Sequence, residues 1–79
     1  MRLDKFLKLS RLIKRRTVAK EAADNNLISI NGKVAKPSSS VDIGDILKVA
    51  LGTKIREIKV LSLNQNEEMF IILKEEKRF

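Results

Sequence analysis

Hydrophobic residues at the start of the chain recur with the spacing of a helix. Leu3, Phe6 and Leu7 are three and four positions apart, so their side chains share one helical face. A short first helix is therefore predicted from about Leu3 to Leu9. The polar residues between them, Asp4 included, are expected to point away from the core.

A second helix is predicted to begin between Arg15 and Val18. Thr17 is a plausible N-cap, because a threonine hydroxyl can accept a hydrogen bond from a free N–H group of the first turn. Small side chains would let the two helices approach closely on a face formed by Val18, Ala19, Ala22 and Ala23. Between the helices, Leu12-Ile13 is interpreted as an apolar plug that fills the core.

Two dipeptides predict where this helix ends and where the chain first reverses. Asn25-Asn26 suits a helix end, because asparagine tolerates the left-handed backbone conformation. Asn31-Gly32 is a dipeptide strongly favoured in two-residue β-hairpins. It follows the apolar residues Leu27, Ile28 and Ile30, and residues 33–35 are predicted to form the return strand. A tight hairpin is therefore expected at Asn31-Gly32.

The second half of the chain has the alternation and the turn residues of an antiparallel sheet. Pro37 and the serines after it indicate a surface crossing, and residues 41–45 a turn. Further strands are predicted at Ile46–Leu51, within residues 53–63 and at Met69–Leu73, with a loop at 64–68 and a charged end at 74–79. The whole pattern indicates an α+β fold: two short N-terminal helices packed on a small, mostly antiparallel sheet with an added C-terminal hairpin.

Composition argues against most catalytic and metal-binding classes of protein. The chain has 79 residues, the size of one small domain, and contains neither cysteine nor histidine. The chain therefore cannot form disulfides or supply thiolate or imidazole ligands to a metal. It also lacks histidine, the commonest catalytic base. Three scattered glycines cannot build a phosphate-binding loop. We expect a protein that is not an enzyme and has no cofactor or metal. With no export signal or membrane span in the pattern, we expect it to be cytoplasmic.

The positive charge is concentrated in the first half of the chain. Residues 1–36 contain ten lysines and arginines and three acidic residues, whereas residues 37–79 contain seven of each, so all of the net charge of +7 lies in residues 1–36. Such one-sided charge is typical of proteins that bind nucleic acid. The main candidates for phosphate contact are Arg2, Arg11, Lys14, Arg15, Arg16 and Lys20, and the lesser candidates are Lys5, Lys8, Lys33 and Lys36.

The aromatic residues indicate which kind of nucleic acid is bound. Phe6, Phe70 and Phe79 are the only aromatic residues, and the first two are expected to be buried. The chain therefore lacks a platform on which splayed single-stranded bases could stack. Recognition by shape and phosphate position is expected, which suits folded RNA.

Four short motifs in a fixed order resemble a known domain family. RLDKFL at residues 2–7, LISINGK at 27–33, PSSSV at 37–41 and IGDIL at 43–47 are similar to the RNA-binding domain named after ribosomal protein S4. The resemblance implies such a domain over residues 1–52, with residues 53–79 as a C-terminal hairpin packed on the same core. Many family members have glycine just before the hairpin strand, where this chain has Asn25-Asn26.

The chain is also similar, over almost its whole length, to the family of short bacterial ribosome-associated quality-control factors called RqcP or YabO. The similarity extends from RLDKFLKLSRLIKRRTVAKEAAD at the start to ILKEEKRF at the end. It implies a ribosome-associated RNA-binding factor that acts on stalled large ribosomal subunits. The implied partners are 23S rRNA, peptidyl-tRNA and RqcH, the protein that adds alanine to the stalled peptide. We expect a monomer.

Three other functions stay open at this level. A stand-alone ribosome-rescue factor of the heat-shock type has the same kind of domain. A DNA-binding or nucleoid-type protein could use the same basic helices, and preference for duplex DNA over ribosomal RNA would identify it. An adaptor that binds an acidic protein is the third, and its complex would resist ribonuclease.

Overall fold

The computed structural model describes residues 1–77 as one antiparallel sheet with two helices packed against it. The elements are α1 (Leu3–Leu9), α2 (Arg16–Asp24), β1 (Ile28–Ile30), β2 (Lys33–Val34), β3 (Ile46–Leu51), β4 (Lys54–Val60) and β5 (Phe70–Lys77). The strands lie in the order β2, β1, β3, β4, β5, and every neighbouring pair is antiparallel. The predicted α+β class is confirmed. In this part of the chain, neither helix has the length and apolar character to cross a membrane.

The C-terminus of α2 is closed by main-chain hydrogen bonds. Asn26 has a φ of 61°, in the left-handed region. Its N–H donates to the Ala23 carbonyl at 3.2 Å, and the N–H of Leu27 donates to the Ala22 carbonyl at 3.0 Å. This pair of bonds is the Schellman motif. The predicted helix end is therefore confirmed, with asparagine in the conformation that glycine usually adopts.

The hairpin between β1 and β2 has the two-residue turn that the sequence predicts. Asn31 and Gly32 have φ values of 51° and 83°, and tight hairpin turns of this kind need positive φ at both positions. The Asn31 side chain also ties the hairpin to the segment entering β3. Its Oδ1 accepts the N–H of Ile46 at 2.9 Å, and its Nδ2 donates to Oδ1 of Asp45 at 3.1 Å.

The hydrophobic core lies between the helices and the inner face of the sheet. Strands β3 and β4 turn alternate residues towards the helices and the others towards solvent. Ile13 is buried in this core, so the plug predicted at Leu12-Ile13 is confirmed, with Leu12 half-buried at its margin. The buried apolar residues are Leu3, Phe6, Leu7, Ile13, Ala19, Ala22, Ala23, Ile28, Ala35, Val41, Leu47, Val49, Ile58, Val60 and Met69.

Two expectations about α2 are wrong. Its N-cap is Arg15 and not Thr17, and the Arg15 side chain makes no capping hydrogen bond, although the helix does begin within the predicted range, at Arg16. Val18, expected on the buried face, is 39% exposed. By helical geometry it lies at the edge of the stripe formed by the three alanines, and only the alanines are buried.

The last strand is longer than its apolar segment. The sequence predicts a charged end after Leu73, but β5 continues to Lys77 because β4 pairs with it. The pairing places Glu57 beside Lys74 and Arg56 beside Glu75, and opposite charges on facing strands support a sheet. Since β4 in turn pairs with β3 along its length, the C-terminal hairpin widens the sheet instead of covering it.

Phe70 was expected to be buried and is instead half-buried. It opens β5, the edge strand, where a side chain has a neighbouring strand on one side only. Phe6 is fully buried, as expected. Phe79 lies outside the described residues.

Candidate nucleic-acid interface

A buried carboxylate joins the starts of both helices. Asp4 lies in the first turn of α1, and its side chain is 5% exposed. Arg2, just before α1, donates from Nε to Oδ1 of Asp4 at 3.1 Å and from its terminal Nη2 to Oδ2 at 3.3 Å. Nε of Arg16, the first residue of α2, lies 3.6 Å from the same Oδ2. Asp4 therefore holds two arginines from different helices next to each other.

Asp4 keeps its charge although it is buried. Burial raises the pKa of the Asp4 carboxyl, but the hydrogen bonds from Arg2 and from the N–H of Lys5, with the charges of Arg2 and Arg16, outweigh burial and leave the pKa lowered. The expectation that Asp4 points away from the core is wrong for the same reason: the carboxylate finds its hydrogen-bond donors on the protein and not in solvent.

The loop after β2 fixes the backbone at this point. The N–H of Leu3 donates to the Ser39 carbonyl at 2.8 Å, and the N–H of Asp4 donates to the Pro37 carbonyl at 3.1 Å. Arg2 forms an isolated β-bridge with Ser40. The backbone of Lys36, the residue before Pro37, therefore lies near the start of α1, while its Nζ donates to Oδ1 of Asn26, just after α2. The predicted surface crossing thus positions the cluster of Asp4, Arg2 and Arg16.

The N-terminus of α2 has no side-chain cap. The first N–H bonded within the helix is that of Ala19, which donates to the Arg15 carbonyl at 3.0 Å. The N–H groups before it, of Arg16 to Val18, have no acceptor in the helix. A helix N-terminus also carries partial positive charge. With Arg15 and Arg16 beside it, this end of α2 is suited to hold an anion.

A second group of cations lies at the other end of α1. Lys8, Arg11 and Lys14 line a shallow open cleft of about 370 Å³. None of the residues lining it is acidic, and in the described chain none of the three cations forms an ion pair. Arg11 has a φ of 63°, which costs a residue with a side chain about 1–2 kcal/mol. Arg2 and Lys8 stand at opposite ends of this seven-residue helix, which is about 10 Å in length, whereas Lys14 directly precedes Arg15 in the chain.

All ten cations predicted to contact phosphate are exposed. The structure brings together Arg2 and Arg16 on Asp4, and Lys8, Arg11 and Lys14 around the cleft. Three more cations neighbour the first group in the chain: Arg15 precedes Arg16, Lys5 follows Asp4, and Lys20 lies one turn further along α2. Lys36 donates from Nζ to Oδ1 of Asn26 at 3.3 Å. Lys33 lies on the edge strand β2 and belongs to neither group.

Asp4 is the member of the site that sequence reasoning missed. A signal was available, since Asp4 is the only acidic residue among the first 20 positions, which hold eight of the cations. An isolated acid in so basic a segment has several possible partners. Which of them it contacts depends on how α2 packs against α1.

The two helices, the basic surface at their starts and the small antiparallel sheet are those of an S4 domain, and the family model described as S4 domain matches residues 1–47. The chain is 58% identical to the RQC P-site tRNA stabilizing factor of Bacillus subtilis, over 98% of this chain and 96% of that relative. It is 52% identical to the Listeria innocua factor of the same description, over 98% and 90%. The chain belongs to this family of RNA-binding, non-catalytic factors, and the predicted family is confirmed.

Heat shock protein 15 has the same architecture. The trimeric structure of the Vibrio cholerae protein superimposes with a TM-score of 0.82 at 28% identity, over 91% of this chain and 80% of that one. A Haemophilus influenzae homologue is 36% identical over 81% of this chain, which spans only 49% of that relative. The Haemophilus influenzae relative is thus both less similar to this chain and longer than the two RQC factors above.

Proposed function

We propose that this protein binds tRNA in the P site of large ribosomal subunits during ribosome-associated quality control. The relatives that match almost the whole chain are RQC P-site tRNA stabilizing factors. The observation that carries the proposal is the pairing of Arg2 and Arg16 on Asp4. It presents two half-exposed guanidinium groups in a fixed arrangement, and a guanidinium can grip a phosphate through two hydrogen bonds.

In this proposal, the two groups of cations bind different phosphates of one folded RNA surface. Arg2 and Arg16, with Arg15 and the free N–H groups of α2, bind one phosphate near the helix starts. Lys8, Arg11 and Lys14 bind another at the far end of α1, in a cleft whose lining residues include no acid. Lys5, Lys20, Lys33 and Lys36 contribute long-range attraction.

The finer partners follow from the family resemblance. We assign the RNA contacts to 23S rRNA and to peptidyl-tRNA on stalled large subunits, where the protein supports alanine tailing by RqcH. This role needs no catalytic group on the factor itself. We also propose that the protein acts on ribosomes in the cytoplasm as a monomer.

Co-sedimentation with large ribosomal subunits carrying peptidyl-tRNA tests the RNA site. Arg16→Ala is expected to reduce binding at least tenfold, because one of the two fixed guanidinium groups is lost. Lys59→Ala is the matched control: Lys59 is an exposed cation on β4, and its neighbours Ile46 and Ile71 lie on the sheet face away from the helices. Equal binding by Arg16→Ala and the unaltered protein would refute the assignment of the site.

Competition separates the proposed function from a DNA-binding one. At matched salt, the protein is expected to bind large subunits in preference to duplex DNA, since its contacts are arranged for a folded RNA surface. Displacement from subunits by an equal mass of duplex DNA would support the nucleoid-type alternative instead.

A further inference from the structure

Strand β5 is a long free edge of the sheet. It has eight residues and pairs with β4 on one side, and the described chain places no strand on its other side. The opposite edge, β2, has only two residues. A free edge presents a row of unpaired N–H and C=O groups that can pair with another strand. Its length makes β5 the edge at which a further strand can form most hydrogen bonds.

The first half of the free edge is apolar on both of its faces, whereas residues 74–77 are charged. Ile71, Ile72 and Leu73 are 47%, 46% and 51% exposed. Ile72 pairs with the buried Ile58 and so lies on the helix side of the sheet, whereas Ile71 pairs with the exposed Lys59 on the other side. Proteins usually protect long edges with charges, because an apolar edge invites pairing. Here the exposed apolar segment extends over the first half of β5.

A groove runs beside this edge on the helix side. It has a volume of about 490 Å³ and lies between the C-terminal end of α1 and β5. Its apolar floor includes Leu9, Phe70 and Ile72. Peptides that add a strand to a sheet gain affinity from main-chain bonds and specificity from side chains that enter such pockets. The edge and the groove together have both features.

The rim of the groove has its own charge. Glu67 and Glu68 line it together with a single cation, Arg11. This local excess of negative charge stands out in a protein of net charge +7. Two carboxylates repel phosphate, so the rim disfavours RNA as the occupant and favours a cationic group. Glu67 is held in place by the Ser62 hydroxyl, which donates to its Oε1 at 2.7 Å.

We propose that β5 and this groove bind an extended segment of a partner protein in which apolar and basic residues alternate. The segment adds to β5 as a sixth strand. An apolar side chain packs against Phe70 and Ile72 in the groove, and a lysine or arginine pairs with Glu67 and Glu68. The site shares no residue with the cluster at Arg2 and Arg16 and shares only Arg11 with the second group of cations, so variants at Glu67, Glu68 and Ile72 test it independently of the RNA site.

Titration of the full-length, ¹⁵N-labelled protein with two short capped peptides tests this site by NMR. One peptide alternates lysine and valine, and the other alternates glutamate and valine. The lysine peptide is expected to shift the amide signals of residues 64–77 and to slow amide hydrogen exchange in β5 at least tenfold. The glutamate peptide is expected to bind at least tenfold more weakly.

Three variants localise the binding. E67K/E68K is expected to reduce affinity for the lysine peptide at least tenfold, and I72D to do the same by placing a charge in the apolar floor. Ile43→Asp is the matched control, because Ile43 is 66% exposed in the turn before β3 and does not line the groove. The glutamates lie on an exposed loop, so E67K/E68K keeps the test valid if I72D does not fold.

Several results would overturn the proposal. Failure of the lysine peptide to bind at millimolar concentration contradicts the proposal, and so does equal binding of the two peptides. A loss of affinity for the lysine peptide in Ile43→Asp that equals the loss in E67K/E68K and I72D also contradicts it. Concentration-dependent diffusion with β5 protected in the absence of peptide would show that a second copy covers the edge. Slowed amide hydrogen exchange in β5 on addition of tRNA would identify RNA as the occupant of the edge.

Discussion

At the scale of single residues, one buried acid determines how the basic surface is arranged. Asp4 accepts hydrogen bonds from Arg2 and from the N–H of Lys5, and it lies in an ion pair with Arg16. A carboxylate in the first turn also interacts favourably with the helix dipole. Asp4 therefore contributes to stability and to the positions of both arginines.

Asp4→Asn is expected to lower the free energy of unfolding by about 1–2 kcal/mol at pH 7, through weaker hydrogen bonds to a neutral group. The pKa of Asp4 is lowered in the folded state, so its stabilisation is complete above the pKa of the unfolded chain and is lost as pH falls through the folded value. Urea unfolding of both proteins at pH 7 and at pH values below 3.8 measures this difference, which should become smaller as the pH falls.

Glu21→Gln serves as the control for this pH test, since Glu21 is exposed on α2 and forms no ion pair in the described chain. Its effect is expected to stay within about 0.5 kcal/mol. A stability difference for Asp4→Asn that is unchanged in acid would contradict the charged state assigned to Asp4.

Arg11 combines a function with a strained backbone. Arg11→Gly and Arg11→Ala both remove the cation, but only glycine adopts a φ of 63° without steric cost. Arg11→Gly is therefore expected to be more stable than Arg11→Ala by about 1 kcal/mol, as measured by urea unfolding. Both variants should lose affinity for large subunits equally. Equal stability of the two would contradict the left-handed conformation at this position.

At the scale of elements, small side chains set the distance between the two helices. Ala19, Ala22 and Ala23 are buried on α2, and they face a core that includes Leu3 and Phe6 of α1. The close approach is what allows Arg16 at the start of α2 to reach Asp4 on α1. The packing of apolar residues and the geometry of the charged cluster are thus coupled.

Ala19→Leu is expected to destabilise the protein by about 1–3 kcal/mol, because the larger side chain overpacks the contact between the helices. Binding to large subunits should fall as well, as α2 moves away from Asp4. Val18→Leu adds the same side chain at a 39% exposed neighbour and should change stability by less than about 0.5 kcal/mol. Thermal unfolding compares the two, and similar effects would refute the close packing.

At the scale of the whole molecule, the charge is divided between the faces of the fold. The ten cations of residues 1–36 lie on the helices, the loops beside them and β2. On β4 and β5 the charges are largely paired across the strands, as between Lys54 and Glu75 at 3.4 Å. The excess that attracts RNA is therefore confined to one part of the surface.

Salt dependence measures how many phosphates this surface neutralises. With about four to six phosphates engaged, the logarithm of affinity for large subunits should fall with the logarithm of salt concentration with a slope of about −3 to −5. Arg16→Ala should make the slope shallower by about one, and Lys59→Ala should leave it unchanged. A flat profile for the unaltered protein would mean that the cations do not contact phosphate.

Much of the fold was predictable from local pattern. The bounds of α1, the end of α2, the turn at Asn31-Gly32 and the strand Ile46–Leu51 all match the structure. Each depends on residues only a few positions apart in the sequence. These local signals are the spacing of apolar residues in a helix, an asparagine that adopts the left-handed conformation, and the alternation of apolar and polar residues in a strand. The family was also predictable, because its motifs lie in order along the sequence.

Contacts between distant segments decided the rest. The extension of β5 to Lys77 and the burial of Asp4 depend on partners that are remote in sequence or on another element. Arg56 lies 19 positions before the Glu75 with which it pairs across the strands, and Arg16 lies 12 positions after Asp4. A local sequence pattern does not show which charged residues will form ion pairs with each other.

The sequence by itself determined that this chain would form two amphipathic helices and a small antiparallel sheet with its positive charge in one half, because periodicity and charge are properties of the order of residues. The tertiary structure alone decided that two of the ten cations would share one buried carboxylate and that three others would surround a cleft without an acid. The physical reason is that ion pairs form between groups a few ångströms apart, and those distances exist only once the helices have packed on the sheet.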